Sequence, residues 1–278
     1  MINYRSLLAA MVILAASELL SAGTTRPHEG AKVTISHSVP QAVARYLEER
    51  RVAAPKEEAP ELLATWGPEF TLHFAMFFSC PITEFSGSKS TAWLVAYTIG
   101  DLPTQSLTPV YRGALLSDSG HVLFKLDEDV AGEEATVFSL EKGLQAAAIS
   151  RDGGRPHTGK VTVVTVERLP KIILVYEPPL SGPAWDSKLY FVTPSDGGIA
   201  QITVERKVLD FARSRKFTEH LIYRFDVRNR QYLPPETVSA KRFAEVLAMS
   251  KQAASIELGP PPYDEQAAAK LVDVTPKP

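Results

Sequence analysis

The sequence predicts an α+β protein, mostly antiparallel β-sheet of about eight strands, flanked by two to four helices. Three observations carry that expectation. β-branched and aromatic runs of strand length recur from Phe70 to Leu233; turns containing Gly or Pro separate many of them at short intervals; and amphipathic segments stand before and after them, near 40–52 and 236–251. With 278 residues, 45% of them hydrophobic and 22% charged, the chain can fill one sizeable core or two small ones.

Each element has a local reason. In "SVPQAVARYLEERR", Ser38 is a helix cap and Pro40 sits in the first turn, while Val39, Val43, Tyr46 and Leu47 recur at helical spacing. Arg45, Glu48, Glu49, Arg50 and Arg51 then form a solvated face, and "APELLATW" offers a further helical turn. From Phe70 the period changes to two: "FTLHFAMFF" alternates at Phe70, Leu72, Phe74 and Met76. "TAWLVAYTI" is apolar almost throughout, as a strand covered on both faces would be. "TPVYRGALL" and, after the turn "SDSG", "HVLFKL" complete an antiparallel meander.

The segment "DVAGEEATVFSLEKGLQAAAIS" is expected to be helical. Val137, Leu140, Leu144 and Ala148 share one helical face, and Asp129, Glu133 and Glu134 suit a helix N-terminus. Gly143 and the strand-like "ATVFSL" count against it. Beyond it, "KVTVVTVERL", "KIILVYE", "KLYFVT", "IAQITVERKV" and "HLIYRFDV" read as five antiparallel strands, with a short helix at "LDFARSRKF". The final helix places Val238, Phe243, Val246 and Leu247 opposite Lys241, Arg242 and Glu245.

The expected organisation is a signal peptide over 1–23, a linker over 24–37, an α+β domain over 38–256 and a flexible Pro- and Ala-rich tail over 257–278. Two closely packed β-rich halves, 38–128 and 160–256, joined near 129–159, are the alternative to one domain. The signal rests on Arg5, an unbroken apolar run from Leu7 to Ala16, and small residues at Ser21, Ala22 and Gly23. That run falls short of the roughly 20 apolar residues a bilayer span needs, so a cleaved export signal, and a periplasmic or extracellular location, is expected; a retained anchor is the alternative. Cys80 is the single cysteine, which excludes an internal disulfide, and "HFAMFFSCP" marks it as a small buried hydrophobe.

Charge and motifs narrow the chemistry. Against 32 acidic residues stand 30 Lys and Arg, a net charge of −2, so no global field draws the chain onto nucleic acid or an anionic membrane. "DGGRPHTGKVT" approaches a P-loop at Gly154, Gly159 and Lys160, but Val161 replaces the metal-binding hydroxyl and a β-prone run follows where a helix is required. "DGG" followed by "TVER" occurs twice, at offsets of 44 and 38 residues, so no fixed repeat exists. Asp127, Asp129 and Gly132 match part of a calcium loop, whereas Ala131 and Phe138 occupy ligand positions. The six histidines show no zinc spacing, and no motif calls for a cofactor.

Two functional readings remain. The first is an exported cell-envelope or extracellular protein that binds rather than catalyses, its partner a protein or an acidic glycan of the envelope and not nucleic acid. Its candidate binding residues are Arg155, His157 and Lys160 on one turn, and Arg224, Arg228 and Arg230 on a face and turn near "YRFDVRNR". The second is a secreted hydrolase of acyl-transfer type. Ser86 and Lys89 fit Ser-x-x-Lys, with Lys89 to take the hydroxyl proton, and His157-Thr158-Gly159 at the mouth of a strand would align the substrate. Ser86, Lys89 and His157 are the catalytic residues to test on that reading.

Overall fold

In the computed structural model, a four-stranded sheet is sandwiched between two others, and a helix packs on each outer side. The structure describes residues 40–58, 60, 64, 74–83, 91–99, 110–127, 130–151, 159–167, 169–178, 184–251, 253–259 and 265–275. The expected signal peptide and linker lie outside them.

The first layer is helix α1 (Gln41–Glu58), which runs beyond the expected 40–52. Val43, Tyr46 and Leu47 set its apolar face on Trp93, Val95, Ala114 and Leu116. Those residues belong to the first meander, β1 (Phe74–Thr83), β2 (Thr91–Ile99), β3 (Val110–Leu116) and β4 (Val122–Leu126), paired antiparallel in chain order. The opposite face of this sheet presents Cys80, Ile82, Ala92, Leu94, Leu115 and Leu126 to the next layer. Strand β2 is therefore covered on both faces, as its unbroken apolar sequence implies.

The middle layer is a second meander, β5 (Glu134–Glu141), β6 (Leu144–Arg151), β7 (Lys160–Val166) and β8 (Ile172–Tyr176). It corrects the helix expected over the β5–β6 segment. Ala135, Val137, Ala147, Ile149, Val164 and Val166 pack toward the first sheet. Phe138, Leu140, Leu144, Ala146, Ala148, Val161 and Val163 pack toward the third. Burial on both faces removes the polar alternation that marks a strand, and the run of three alanines then imitates a helix. Gly143 is the turn of the β5–β6 hairpin, with φ 81°, and not a weak point in a helix.

The third layer holds six strands: β9 (Ala184–Val192), β10 (Gln201–Asp210), β11 (Arg215–Tyr223), β14 (Glu236–Val238), β15 (Ala254–Leu258) and β16 (Val272–Asp273). Their order is β14-β11-β10-β9-β15, with β16 parallel to β11. A hairpin of β12 (Phe225–Asp226) and β13 (Gln231–Tyr232) stands apart as a two-stranded sheet. The mixed α+β class and antiparallel pairing agree with expectation; among the described residues the main sheets hold four, four and six strands, more than the expected eight in all. "LDFARSRKF" supplies only a 3-10 turn at Phe211–Arg213.

Helix α2 (Ala240–Leu247) is shorter than the expected 236–251, because Glu236–Val238 pairs with β11 first. Ser239 caps it by accepting the Arg242 N–H at 3.2 Å, and Phe243 and Val246 are its buried residues. The last segment, expected to be a flexible tail, carries helix α3 (Glu265–Ala269) and β16. The Val272 N–H donates to Ser214 at 3.0 Å, the Val274 N–H donates to Lys216 at 2.8 Å, and Leu271 is buried.

Contacts between layers are mostly apolar. Phe138 of β5 stacks on Phe191 of β9 at 4.7 Å between ring centroids, and Tyr176 meets Tyr223 edge to face at 6.5 Å. A buried bond of 2.8 Å joins the hydroxyls of Tyr176 and Ser187. Between the first two sheets, Tyr111 donates its hydroxyl to Glu133, and the Arg151 guanidinium lies 4.8 Å above the Tyr111 ring.

The narrow middle layer yields a stability prediction. Ala146, Ala147 and Ala148 are fully buried, so Ala147→Leu overfills the space between sheets and is expected to cost about 1–3 kcal/mol. Gly132→Ala is expected to cost a similar amount, about 1–3 kcal/mol, because its new methyl would meet the Ser150 carbonyl. Urea unfolding reads both as a lower midpoint at unchanged slope.

Candidate functional site

The third sheet has an outer face that α2 covers only in part. Period two sends Leu189, Phe191, Ile202, Val204 and Leu221 inward to the core. The alternate positions face outward. Near α2 they are apolar: Val192, Ile222, Tyr190 and Val238 pack with Val246 and Leu247.

Away from the helix the same strands carry charge. Glu257, Lys188, Glu205 and His220 stand in direct cross-strand register across β15, β9, β10 and β11. Two residues further along, Asp186 pairs with Lys207. Neighbouring strands run about 4.8 Å apart, so opposite charges sit side by side on a fixed lattice. Lys188 Nζ donates to Glu257, Lys207 Nζ lies 3.6 Å from Asp186, and His220 Nε2 lies 3.7 Å from Glu205. The hydrogen bond to Glu257 raises the Lys188 pKa above its usual value, and its ammonium also lies 5.5 Å above the Tyr190 ring. Asp186, Lys188, Glu205, Lys207 and Glu257 line a shallow polar depression. His220 closes one end of the row, its ring 4.5 Å from that of Phe243 on α2.

Sequence reasoning did not single out Asp186, Lys188, Glu205, Lys207 or Glu257. The signal is present in "DSKLY" and "VERKV", where Asp186 and Lys188, and Glu205 and Lys207, hold alternate positions of their strands. What it lacks is β15: Lys188 and Glu257 are 69 residues apart and meet only through that pairing.

Of the expected cations, the described ones stand at the start of β7 and on or beside the β12–β13 hairpin. Ser86, Lys89, Arg155 and His157 lie outside the described residues. Lys160 opens β7 and pairs with Glu177 at 3.3 Å. Arg224 pairs with Glu236 at 2.8 Å. Arg230 grips both oxygens of Glu167, at 3.0 and 3.1 Å, tying the β12–β13 hairpin to the end of β7. Arg228 is exposed on the hairpin turn, where Asp226 accepts its backbone N–H at 2.9 Å. Leu221, Tyr223 and Phe225 keep to the core side, but Val227 is exposed, since β11 has ended and the hairpin turn has begun.

Other reactive side chains are held in structural roles. Arg206 and Glu219 form an ion pair on the inner face, with Nε to oxygen at 2.9 Å. Glu219 and His220, adjacent in sequence, thus serve opposite faces. Asp127 begins a turn whose carbonyl accepts the N–H groups of Val130 and Ala131 at 3.1 and 2.8 Å. Among the described residues no group of three or more His, Cys, Asp or Glu could hold a metal ion. Cys80 is buried between the first two sheets; its thiol is 3.6 Å from the Pro81 carbonyl, and burial pushes its pKa up to about 11.

That thiol gives a pH dependence. Its folded pKa of about 11 exceeds the ordinary value of 9.0, so it stabilises the fold at lower pH and loses that contribution as pH rises through this interval. Urea unfolding of Cys80→Ala is expected to show a smaller loss of stability from pH 9 to pH 11 than the parent chain. Comparison of the chain with protein-family models, with curated proteins and with solved structures returned no match.

Proposed function

We propose that this chain is an exported, non-catalytic binding protein that recognises a protein partner through the charged half of the outer face of the third sheet. One observation carries the reading: rows of alternating charge are fixed on hydrogen-bonded strands, at Glu257, Lys188 and Glu205 and again at Asp186 and Lys207. A surface of this kind orients a partner of complementary mixed charge and rejects a mismatched one. Exposed ion pairs are each worth about 0–1 kcal/mol, so exchanging them for equivalent pairs across an interface costs little.

The same arithmetic favours a protein over an acidic glycan. Three carboxylates, Asp186, Glu205 and Glu257, stand beside two amines, Lys188 and Lys207, and would repel a polyanion. Lys160, Arg224 and Arg230 each already hold a carboxylate. Export is supported by the apolar run Leu7–Ala16 behind Arg5. Among the described residues no helix is long and apolar enough to cross a membrane.

Two probes test the binding reading: an immobilised alternating Glu-Lys peptide and an immobilised sulfated polysaccharide. The chain is expected to bind the peptide in a salt-dependent way and to ignore the polysaccharide. Replacing Lys188 and Lys207 together by Ala should weaken peptide binding about tenfold. Tighter binding to the polysaccharide, or a double variant that binds the peptide like the parent, contradicts the proposal. Export is tested by fusing residues 1–30 to a reporter that is active only outside the cytoplasm; an inactive fusion contradicts it.

A further inference from the structure

The charged half of the third sheet's outer face is ordered in direction as well as in sign. From Ala184 to Val192, β9 pairs with β10 without a register shift, and β15 joins β9 as regularly from Ala254 to Leu258. Glu257, Lys188 and Glu205 therefore stand at one level on three successive strands and form a line across them. Their side chains are 49%, 34% and 34% exposed. At one end of the line stands α2, whose Phe243 ring lies 4.5 Å from that of His220, the next residue of the row, and 6.0 Å from that of Tyr190. The other end lies at β15, an outer strand of the sheet.

The spacing of this line selects the shape that can read it. Neighbouring strands lie about 4.8 Å apart, so the three charges fall at about 0, 4.8 and 9.6 Å. On one face of an α-helix, residues i, i+3 and i+7 rise by about 0, 4.5 and 10.5 Å. The two series agree to within about 1 Å along the whole line. In an extended strand the residues of one face recur at about 6.7 Å, so a strand laid along the same line is out of step by about 4 Å at the third charge. Laid instead along β9 or β10, a strand meets only Lys188 and Asp186, or Glu205 and Lys207.

The signs along the line are negative, positive, negative, which calls for Lys, Glu and Lys on the helix. Opposite charges at i, i+3 and at i+3, i+7 also attract each other within that helix, so the pattern that matches the sheet stabilises the helical form. The sheet already holds one helix on this face, since α2 packs over β9, β10 and β11.

We propose that the partner presents an α-helix, laid across β15, β9 and β10 next to α2, with Lys, Glu and Lys at i, i+3 and i+7 facing Glu257, Lys188 and Glu205. This inference rests on the partner site proposed above and adds the shape and the charge order of what occupies it. Charge complementarity sets the register of the helix on the strands, and α2 limits how far it slides toward β11.

Three capped, Ala- and Gln-based peptides of about 20 residues, long enough to form a helix, provide the test. The first carries Lys, Glu, Lys and Glu at i, i+3, i+7 and i+10, the last above His220. The second has the same composition with the charges in blocks, Lys, Lys, Glu and Glu, at those positions. The third keeps the first order with a central proline that breaks the helix. Titration of the full chain, followed by amide chemical shifts, is expected to move the signals of Glu257, Lys188 and Glu205 and to show the first peptide binding about fivefold or more tighter than the other two. Lys188→Glu should weaken the first peptide about tenfold, and a peptide with Lys at i+3 should bind this variant at least as tightly as the first binds the parent. A block or proline peptide that binds the parent as well as the first, or a variant not rescued by Lys at i+3, overturns the helix and leaves the mixed-charge site standing. Failure of every peptide, the residue-alternating Glu-Lys peptide included, overturns both. Self-association of the chain that the first peptide competes away assigns the face to a second copy and overturns the proposal.

Discussion

The structure depends on one constraint: the middle sheet must be apolar on both faces and thin enough for two other sheets to close on it. Stacked sheets pack about 10 Å apart, and that spacing is set by what lies between them. Ala146, Ala147 and Ala148 in β6, with Val161, Val163, Val164 and Val166 in β7, meet both demands. Burial on two faces stabilises these strands through apolar contact at almost every residue. It leaves little room for polar groups, and Thr162, Thr165 and Ser150 are the small buried exceptions. The outer sheets inherit simpler requirements. Each needs one face for the middle layer and a second, smaller apolar area for its own helix.

That constraint explains what could be read from the sequence. β2 was legible because Ala92 and Leu94 face one core and Trp93 and Val95 the other, so its unbroken apolar run means what it suggests. β5 and β6 obey the same physics but were obscured by composition. Alanine is the best helix former, and Val137, Leu140 and Leu144 happen to fall at helical spacing across a hairpin. Gly143 was the discriminating residue, since its φ of 81° suits the turn and has no use inside a helix. Strand β15 was missed for another reason. Ala254–Leu258 is short and stands among Pro- and Ala-rich sequence, and it becomes a strand only by adding to β9.

A fold that spends its interior on packing leaves its chemistry to faces and edges. The third sheet has six strands but a helix of only eight residues above it, so part of its outer face stays bare and carries charge. Individual charges there were visible as polar positions of a two-residue period, whereas their arrangement into rows depends on register. The basic residues near Arg224 and Arg230 illustrate the converse. They looked like a patch in sequence, yet Glu236 and Glu167 hold them from separate parts of the chain. Cys80 shows the same rule for reactivity, because the apolar sequence around it anticipates a thiol buried between two sheets.

Native-state hydrogen exchange resolved by residue tests the two-sided burial of the middle sheet most directly. If β6 and β7 are held from both faces, their amides exchange only when the whole protein unfolds, with protection equal to global stability. Amides of the short edge strands β4, β15 and β16 then exchange through smaller, local openings. Amides of β6 and β7 that exchange as fast as those of the edge strands would contradict a core built on both sides of that sheet.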